Sequence, residues 1–483
     1  MNTKLVIKVI SILLLIIAGF MIFPVFFAVY YGEFHMIRFF LIPITASLLF
    51  YIIIRIFISD RQRKNLSTKD GFLLVASSWI SASFLGCLPF FLSGAVPSLA
   101  DAFFETMSGF TTTGASILTE IESLPKSLLF WRSLTHWLGG MGIVVLTVAI
   151  FPLLGIGGLQ LIKAEAPGPT VDKITPKITE TAKILWMIYI ALTIIETILL
   201  LAGGLNLFDS LTHTFGTLAT GGFSPKNTSV GFYNSPFVDW VITIFMLMAG
   251  INFILYFKLV TGQLKSIMRN SEFKAYLGIF AAATLIVTLN LHGKTYTTFA
   301  DSLRYAGFQV SSILTTTGFA TADYEKWPML SQIILFVVMF IGGCSGSTGG
   351  GIKVIRIITL FKQGINEMKL LIRPRGIFSI RIDGKVVRKQ LVYAVSGFVL
   401  LYIFLLLLTT TVVASGEYDI VTSLSTALVT LGNIGPGFGL IGPTENYQFF
   451  QDYIKWFLSF AMMAGRLEIY TVLVMLLPAF WRR

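Results

Sequence analysis

Thr111-Thr-Thr-Gly-Ala-Ser116 decides how this chain is read, because three later stretches share its form. They are Leu218-Ala-Thr-Gly-Gly-Phe223, Thr315-Thr-Thr-Gly-Phe-Ala320 and Val429-Thr-Leu-Gly-Asn-Ile434. Each sets a glycine (Gly114, Gly221, Gly318 or Gly432) behind small or hydroxylated residues, about a hundred residues from the next. Self-similarity at a regular interval points to a repeated architecture.

Composition says where such a repeat must live. Of 483 residues, 55% are hydrophobic and only 12% charged, where a soluble domain carries about 25% charged residues. Mean hydropathy is +0.80. Several apolar runs reach the roughly 20 residues that cross a bilayer. Strand-like alternation is absent, so the spans are expected to be helices. The net charge of +12 does not imply nucleic acid. Basic residues gather in alternate connections, at Arg61, Arg63, Lys64 and Lys69, at Lys265, Arg269 and Lys274, and after residue 352. The connections between them lean acidic, at Glu120, Glu122, Asp323, Glu325, Glu445 and Asp452. That alternation is the positive-inside bias. Cys87 and Cys344 form neither a metal spacing nor a disulfide framework.

Taken in order, residues 4–30 and 37–59 predict a helical hairpin, its amino end held inside by Lys4 and Lys8. Its first run is too long for a signal peptide. No glycine loop accompanies it, so residues 1–66 stand outside the repeat. Four units follow, over 67–170, 171–272, 273–389 and 390–483. Each has an outgoing apolar helix (71–93, 184–204, 275–292, 391–414) and a short amphipathic helix opening at Asp101, Asp209, Asp301 or Asp419. Aspartate suits a helix start, and three turns of helix, about 16 Å, reach halfway across a membrane. The glycine loop comes next, then an outside connection, then a returning helix (128–162, 236–262, 329–343 and beyond, 452–480). The fold class is therefore an all-α membrane protein of four helix–half-helix–loop–helix repeats around a central pore.

The returning helices carry a second glycine signal at Gly139 and Gly140, Gly250, Gly342 and Gly343, and Gly465. Close helix packing through small residues accounts for the first pair. In the third repeat the run Gly342, Gly343, Cys344, Ser345, Gly346, Ser347, Thr348, Gly349, Gly350 and Gly351 is too glycine-rich to stay helical, since each glycine costs about 1 kcal/mol there. Irregular backbone at membrane depth must line a cavity or be buried in protein. An unwound loop beneath the glycine loops is expected. Segment 353–389, with ten basic and two acidic residues, suits an inner-face lipid anchor, a docking surface for a cytoplasmic subunit, or both.

Potassium sheds its water only where oxygens replace it, as inward-facing backbone carbonyls do in potassium channels. Glycine permits the dihedrals this needs. The candidate ligands are the carbonyls of Thr112, Thr113 and Gly114; Ala219, Thr220 and Gly221; Thr316, Thr317 and Gly318; and Thr430, Leu431 and Gly432, followed closely by Asn433. No carboxylate lies in the loops, which disfavours a divalent-cation pore. Arg466 and Glu468 interrupt an apolar helix, where charge is costly and functional by default. Two apart, they face different ways. Arg466 is expected either to stand beneath the loops, opposing cations or holding 342–351, or to bond helix carbonyl ends. Glu196, Glu105 and His213 are expected to satisfy buried hydrogen bonds, and His136 could do either.

These loops resemble those of the Trk/Ktr/HKT superfamily of potassium transporters. So do Phe130-Trp-Arg-Ser-Leu-Thr135 with Trp137-Leu-Gly-Gly140, the Gly-Cys-Ser-Gly-Ser-Thr-Gly-Gly run, and Ala464-Gly-Arg-Leu-Glu468. Length and the extra hairpin make the TrkH branch the nearest. The resemblance implies potassium uptake at a bacterial inner membrane, with both termini cytoplasmic. It implies a homodimer with one pore per chain, a gate at 342–351, and a cytoplasmic TrkA-type regulatory ring. No cofactor would be bound covalently, and a nucleotide (NAD or ATP/ADP) would sit on the partner only. In plant relatives a serine at the first filter glycine goes with sodium transport, whereas this chain has Gly114. The fourth loop departs most, with Leu431 for threonine.

An enzyme finds no support: no Gly-Lys-Ser/Thr follows the glycine run, and no nucleophile–base pair or metal spacing appears. An ion-coupled secondary transporter of sodium or another small solute is the alternative, but it should show two-fold repeats and charged midplane residues.

Overall fold

The structure, a computed structural model, describes residues 2–58, 67–142 and 178–482. The hairpin is built from α1 (Thr3–Phe20), α2 (Ile22–Tyr30) and α3 (Phe34–Phe57). The first two form one span jointed at Met21. The basic run at Arg61, Arg63 and Lys64 lies outside the described residues.

The expected unit recurs four times. The outgoing helices are α4 (Thr68–Leu92), α7 (Ile178–Ala202), α12 (Ser271–Leu291) and α16 (Lys389–Ala414). The short helices are α5 (Leu99–Phe110), α8 (Leu207–Leu218), α13 (Phe299–Leu314) and α17 (Ile420–Gly432). Their starts correct the sequence reading. Ser98, Asn206 and Thr298 are the N-caps, each accepting a backbone N–H from the aspartate three positions on. Asp101, Asp209 and Asp301 therefore sit inside the first turn, where their charge suits the positive helix end. Only Asp419 is itself the cap.

The second and fourth returning elements are not the continuous helices expected, and the third unwinds where its glycine run predicts. The first, α6 (Lys126–Gly140), is followed to Gly142, and the remainder of 128–162 lies outside the described residues. In the second, α9 (Pro236–Ala249) and α10 (Phe253–Val260) meet at 96°. In the third, α14 (Met329–Val338) ends well before α15 (Val354–Ile372), leaving the glycine run unwound between them. In the fourth, α18 (Asp452–Arg466) and α19 (Tyr470–Leu473) belong to segments bent by 115°, across left-handed Glu468 and Ile469. Glycine explains where the breaks fall. A Cβ on Gly250 would collide with the Tyr276 hydroxyl, and one on Gly465 with the carbonyl of Leu431 in α17. Each break lets the chain turn under a short helix instead of running past it. A two-stranded hairpin, Arg381–Ile382 with Lys385–Val386, lies between α15 and α16.

Burial is inverted relative to a soluble domain. Nearly every residue of α5 from Ala100 on and of α17 from Thr422 on is buried, hydroxyls included. The long outer helices expose leucine, isoleucine and phenylalanine, and α3 buries only 17% of its most apolar window. An apolar exterior around polar-lined short helices is what lipid selects. Among the described residues six helices are long and apolar enough to cross a membrane, or up to eight if each bent pair is one span. This is a multi-pass all-α membrane protein.

Candidate functional site

The four short helices end in one shared turn. Thr111, Ala219, Thr315 and Gly432 close the last helical turn. The next residue is left-handed in every case: Thr112 at φ 53, Thr220 at 55, Thr316 at 59 and Asn433 at 55. Two residues later a glycine is left-handed too: Gly114 at 79, Gly222 at 79, Gly318 at 83 and Gly435 at 94. The residue between them folds its N–H back onto the helix, as Thr113 to Ser108 O (2.9 Å), Gly221 to Gly216 O, Thr317 to Ser312 O and Ile434 to Val429 O (2.8 Å each). With the amides spent on the helix end, the carbonyls turn away from it. Those of Thr112, Thr113, Gly114, Thr220, Gly222, Thr316, Thr317, Gly318, Asn433 and Ile434 accept no hydrogen bond among the described residues. Left-handed threonine is strained, and strain of this kind collects at functional sites.

This alignment shifts two of the four loops. In the second, the ring glycine is Gly222 rather than Gly221, and Ala219 belongs with the helix end. In the fourth, Thr430, Leu431 and Gly432 form the last turn of α17, and the loop proper is Asn433, Ile434 and Gly435. The slip has a physical origin. Asparagine tolerates the left-handed region, so the fourth loop starts on Asn433 where the others use threonine, and Gly432 imitates a ring glycine from inside a helix.

The loops close on one another. A Cβ on Gly114 would run into the carbonyl oxygen of Gly221, one on Gly222 into that of Thr317, and one on Gly318 into that of Ile434. One on Gly435 would lie 2.6 Å from that of Thr113, which returns the sequence to the first loop. The contacts run one to two, two to three, three to four and four to one. Four loops of one chain thus surround a common axis, their glycines packed against their neighbours' carbonyls.

Beneath this ring lies the unwound loop 342–351. Gly350 N donates to Thr316 Oγ1 at 2.6 Å, and Cys344 N to Gly250 O at 2.8 Å. Phe253 N donates to Gly346 O at 3.1 Å, and Thr348 Oγ1 to Ala249 O at 3.2 Å. Glu272 accepts from Ser345 N (2.7 Å) and Ile355 N (3.1 Å), and buried Lys353 donates to Gly349 O. Ser347 Oγ accepts from Gly349 N. A Cβ on Gly343 would meet Ser347 Oγ at 2.8 Å, one on Gly342 would strike the Gly350 carbonyl, and one on Gly351 would lie 3.3 Å from Gly342 Cα. Arg466 joins the fourth repeat to this loop, donating to Thr348 O at 2.5 Å and to Gly139 O and Gly140 O at 2.8 and 3.1 Å. Its bonds thus reach both the loop and the carbonyl end of α6. Glu468, outside the helix, pairs with Arg356 instead.

The other charged residues divide. Glu105 accepts from Ser116 Oγ (3.0 Å) and Ile117 N (2.9 Å) and pairs with Arg132 at 2.6 Å. Arg132 also donates to Ser224 O and lies 3.5 Å over the Phe223 ring, tying the first repeat to the second loop. His213 uses both ring nitrogens, on Asp209 O and Ser224 Oγ. His136 bonds Gly109 O at 2.7 Å and stacks on Phe223 behind Gly221. Glu196 is fully buried, with the Thr217 hydroxyl as the hydrogen-bonding group beside its carboxylate. The neighbouring Thr217 hydroxyl donates to His213 O.

Sequence reasoning passed over Arg132, Glu272, Lys353 and Tyr447. Arg132 carried a usable signal, a charge within an otherwise apolar helix. Tyr447 carried none, because its partners lie on distant loops.

Comparison with known proteins follows the same lines. The family model described as TrkH, cation transport protein, matches residues 44–482. The Trk system potassium uptake protein TrkH of Salmonella typhimurium is 39% identical over 491 residues, covering all of both chains. That of Halomonas elongata is 43% identical over 424 residues, covering 87% of this chain and 88% of its own. The crystal structure of the potassium transporter TrkH from Vibrio parahaemolyticus superposes with a TM-score of 0.88 at 36% identity, over the whole of both chains.

Proposed function

The chain belongs to the TrkH family of cation transport proteins, and we propose that it takes up potassium across a bacterial inner membrane. The ion passes the ring formed by Thr112, Thr113 and Gly114; Thr220, Gly221 and Gly222; Thr316, Thr317 and Gly318; and Asn433, Ile434 and Gly435. One observation carries this reading: the closed cycle of glycine–carbonyl contacts, in which the carbonyls of Thr112, Thr113, Gly114, Thr316, Thr317 and Gly318 accept no hydrogen bond among the described residues. Such oxygens can replace water around a dehydrated cation. The protein is a transporter and not an enzyme.

Below the ring, loop 342–351 and Arg466 act as the gate. A guanidinium under the filter repels cations, and its three carbonyl bonds keep the loop across the path. Opening requires those bonds to exchange partners. The relatives' names place them in a Trk system, which fits a cooperating regulator. Here that is a cytoplasmic TrkA-type ring holding the nucleotide, docked on the basic segment 353–389 of a homodimer. The chain divides into a hairpin over 1–66 and pore repeats over 67–170, 171–272, 273–389 and 390–483, with both termini cytoplasmic.

The deciding experiment is rubidium flux in liposomes holding the purified chain, under separately imposed potassium, sodium and proton gradients. Flux driven by the rubidium gradient alone is expected. Strict dependence on a second ion or solute would favour a coupled secondary transporter.

A further inference from the structure

The four seams of the ring are not built alike. Side chains tie the other seams too, as Arg132 to Ser224 O and Tyr324 to Gly437 O, but at the seam between the fourth and first loops one reaches the carbonyl of the ring glycine itself. Asn433 Nδ2 donates to Thr113 Oγ1 at 2.9 Å. Tyr447 crosses the same seam, its N–H on Ser116 O at 2.8 Å and its phenol on Gly435 O at 2.6 Å. Clearance at Gly435 is also wider than at the other three glycines. The tyrosine is 2% exposed, with its ring packed on Phe104 and Phe450.

The phenol contact sets one carbonyl apart. Gly114, Gly222 and Gly318 have carbonyls that accept no hydrogen bond among the described residues, whereas Gly435 accepts a short O–H···O bond. A carbonyl pointed at a buried phenol shares its negative charge with that proton and cannot swing freely towards an ion. We propose that Tyr447 is a positioning residue for ion selectivity, drawing the Gly435 carbonyl back so that an ion at the glycine level meets three equivalent oxygens and a fourth held away. The inference rests on the filter reading above. Discrimination between potassium and sodium depends on the number and field strength of the coordinating carbonyls, so Tyr447 would set how sharp that discrimination is.

The test compares the full chain with Tyr447→Phe and Tyr324→Phe in liposomes, measuring the potassium-to-sodium permeability ratio. Tyr324 is a control of the same kind: buried, with its phenol on Gly437 O at 2.8 Å, two residues beyond the ring. Tyr447→Phe should raise the ratio roughly fivefold, the weight of one hydrogen bond, and Tyr324→Phe should leave it unchanged. An unchanged ratio in Tyr447→Phe, or an equal rise in both variants, overturns the proposal. Absence of potassium-selective flux in the unaltered chain would instead remove the filter reading itself. Should Tyr447→Phe fail to assemble, rubidium anomalous scattering from crystals of the unaltered chain decides. A peak displaced from Gly435 towards Gly222 supports the inference, and one equidistant from all four glycine carbonyls ends it.

Discussion

Gly350 donates its amide hydrogen to the Thr316 hydroxyl across 2.6 Å, so the glycine-rich loop hangs directly from the third ring loop. The strained, left-handed threonine that shapes the third loop also holds the glycine run against it. Replacing Thr316 with valine keeps the shape but leaves a buried N–H unpaired, at about 1–3 kcal/mol. The variant should unfold at lower temperature and leak rubidium in liposomes, and Thr316→Ser should restore both properties.

Register within the loops is tested by alanine. At Gly435 and Gly222 a Cβ meets a neighbouring carbonyl and a positive φ together. At Gly432, inside α17, the nearest atom is a flexible Ile434 carbon at 3.3 Å. Uptake by a potassium-dependent host should be lost with Gly435→Ala and Gly222→Ala and largely kept with Gly432→Ala. The reverse ranking would return the fourth loop to the alignment that sequence alone suggests.

Arg466→Gln removes the charge and cannot span three carbonyls on two elements. Rubidium flux without any regulator is expected to rise about tenfold or more, roughly what releasing one charge-assisted bond of 1.5–3 kcal/mol allows. Arg466→Lys should fall between, since an ammonium lacks the planar fork. Flux equal to the unaltered chain in both variants would show that the arginine only props α6.

The buried Glu105–Arg132 pair makes a stability prediction. Arg132→Met leaves the buried Glu105 carboxylate without its counter-charge and should cost about 3–5 kcal/mol. Glu105→Gln/Arg132→Met should recover part of that, because no bare charge remains. Thermal unfolding in detergent, read by tryptophan fluorescence, gives the order of the two.

Much of this architecture is written in the chain, and the exceptions share a cause. Threonine-rich loops after amphipathic half-helices, and a glycine run incompatible with helix, are local properties, and local properties survive in sequence. The true ring glycine of the fourth repeat was hidden because Gly432 and Gly435 are both small and both follow apolar residues. Only the hand of Asn433 separates them. The bends after Ala249 and Arg466 were equally hidden, since a glycine packed under a short helix and one in a straight span look alike until the partner is known. Pairings such as Tyr447 with Gly435, or Arg466 with Thr348, join residues whose relation only the closed ring creates.

That the ring is closed by one chain, and not by four copies, has a consequence for how it can change. In an assembly of identical subunits a single codon alters all four positions at once, and most such changes abolish the pore. Here each quarter is spelled separately, so a substitution alters one loop in four and leaves three in place. Asparagine at 433 and the phenol behind Gly435 are differences of that size. With the ring as the proposed filter, ion preference becomes adjustable in quarter steps.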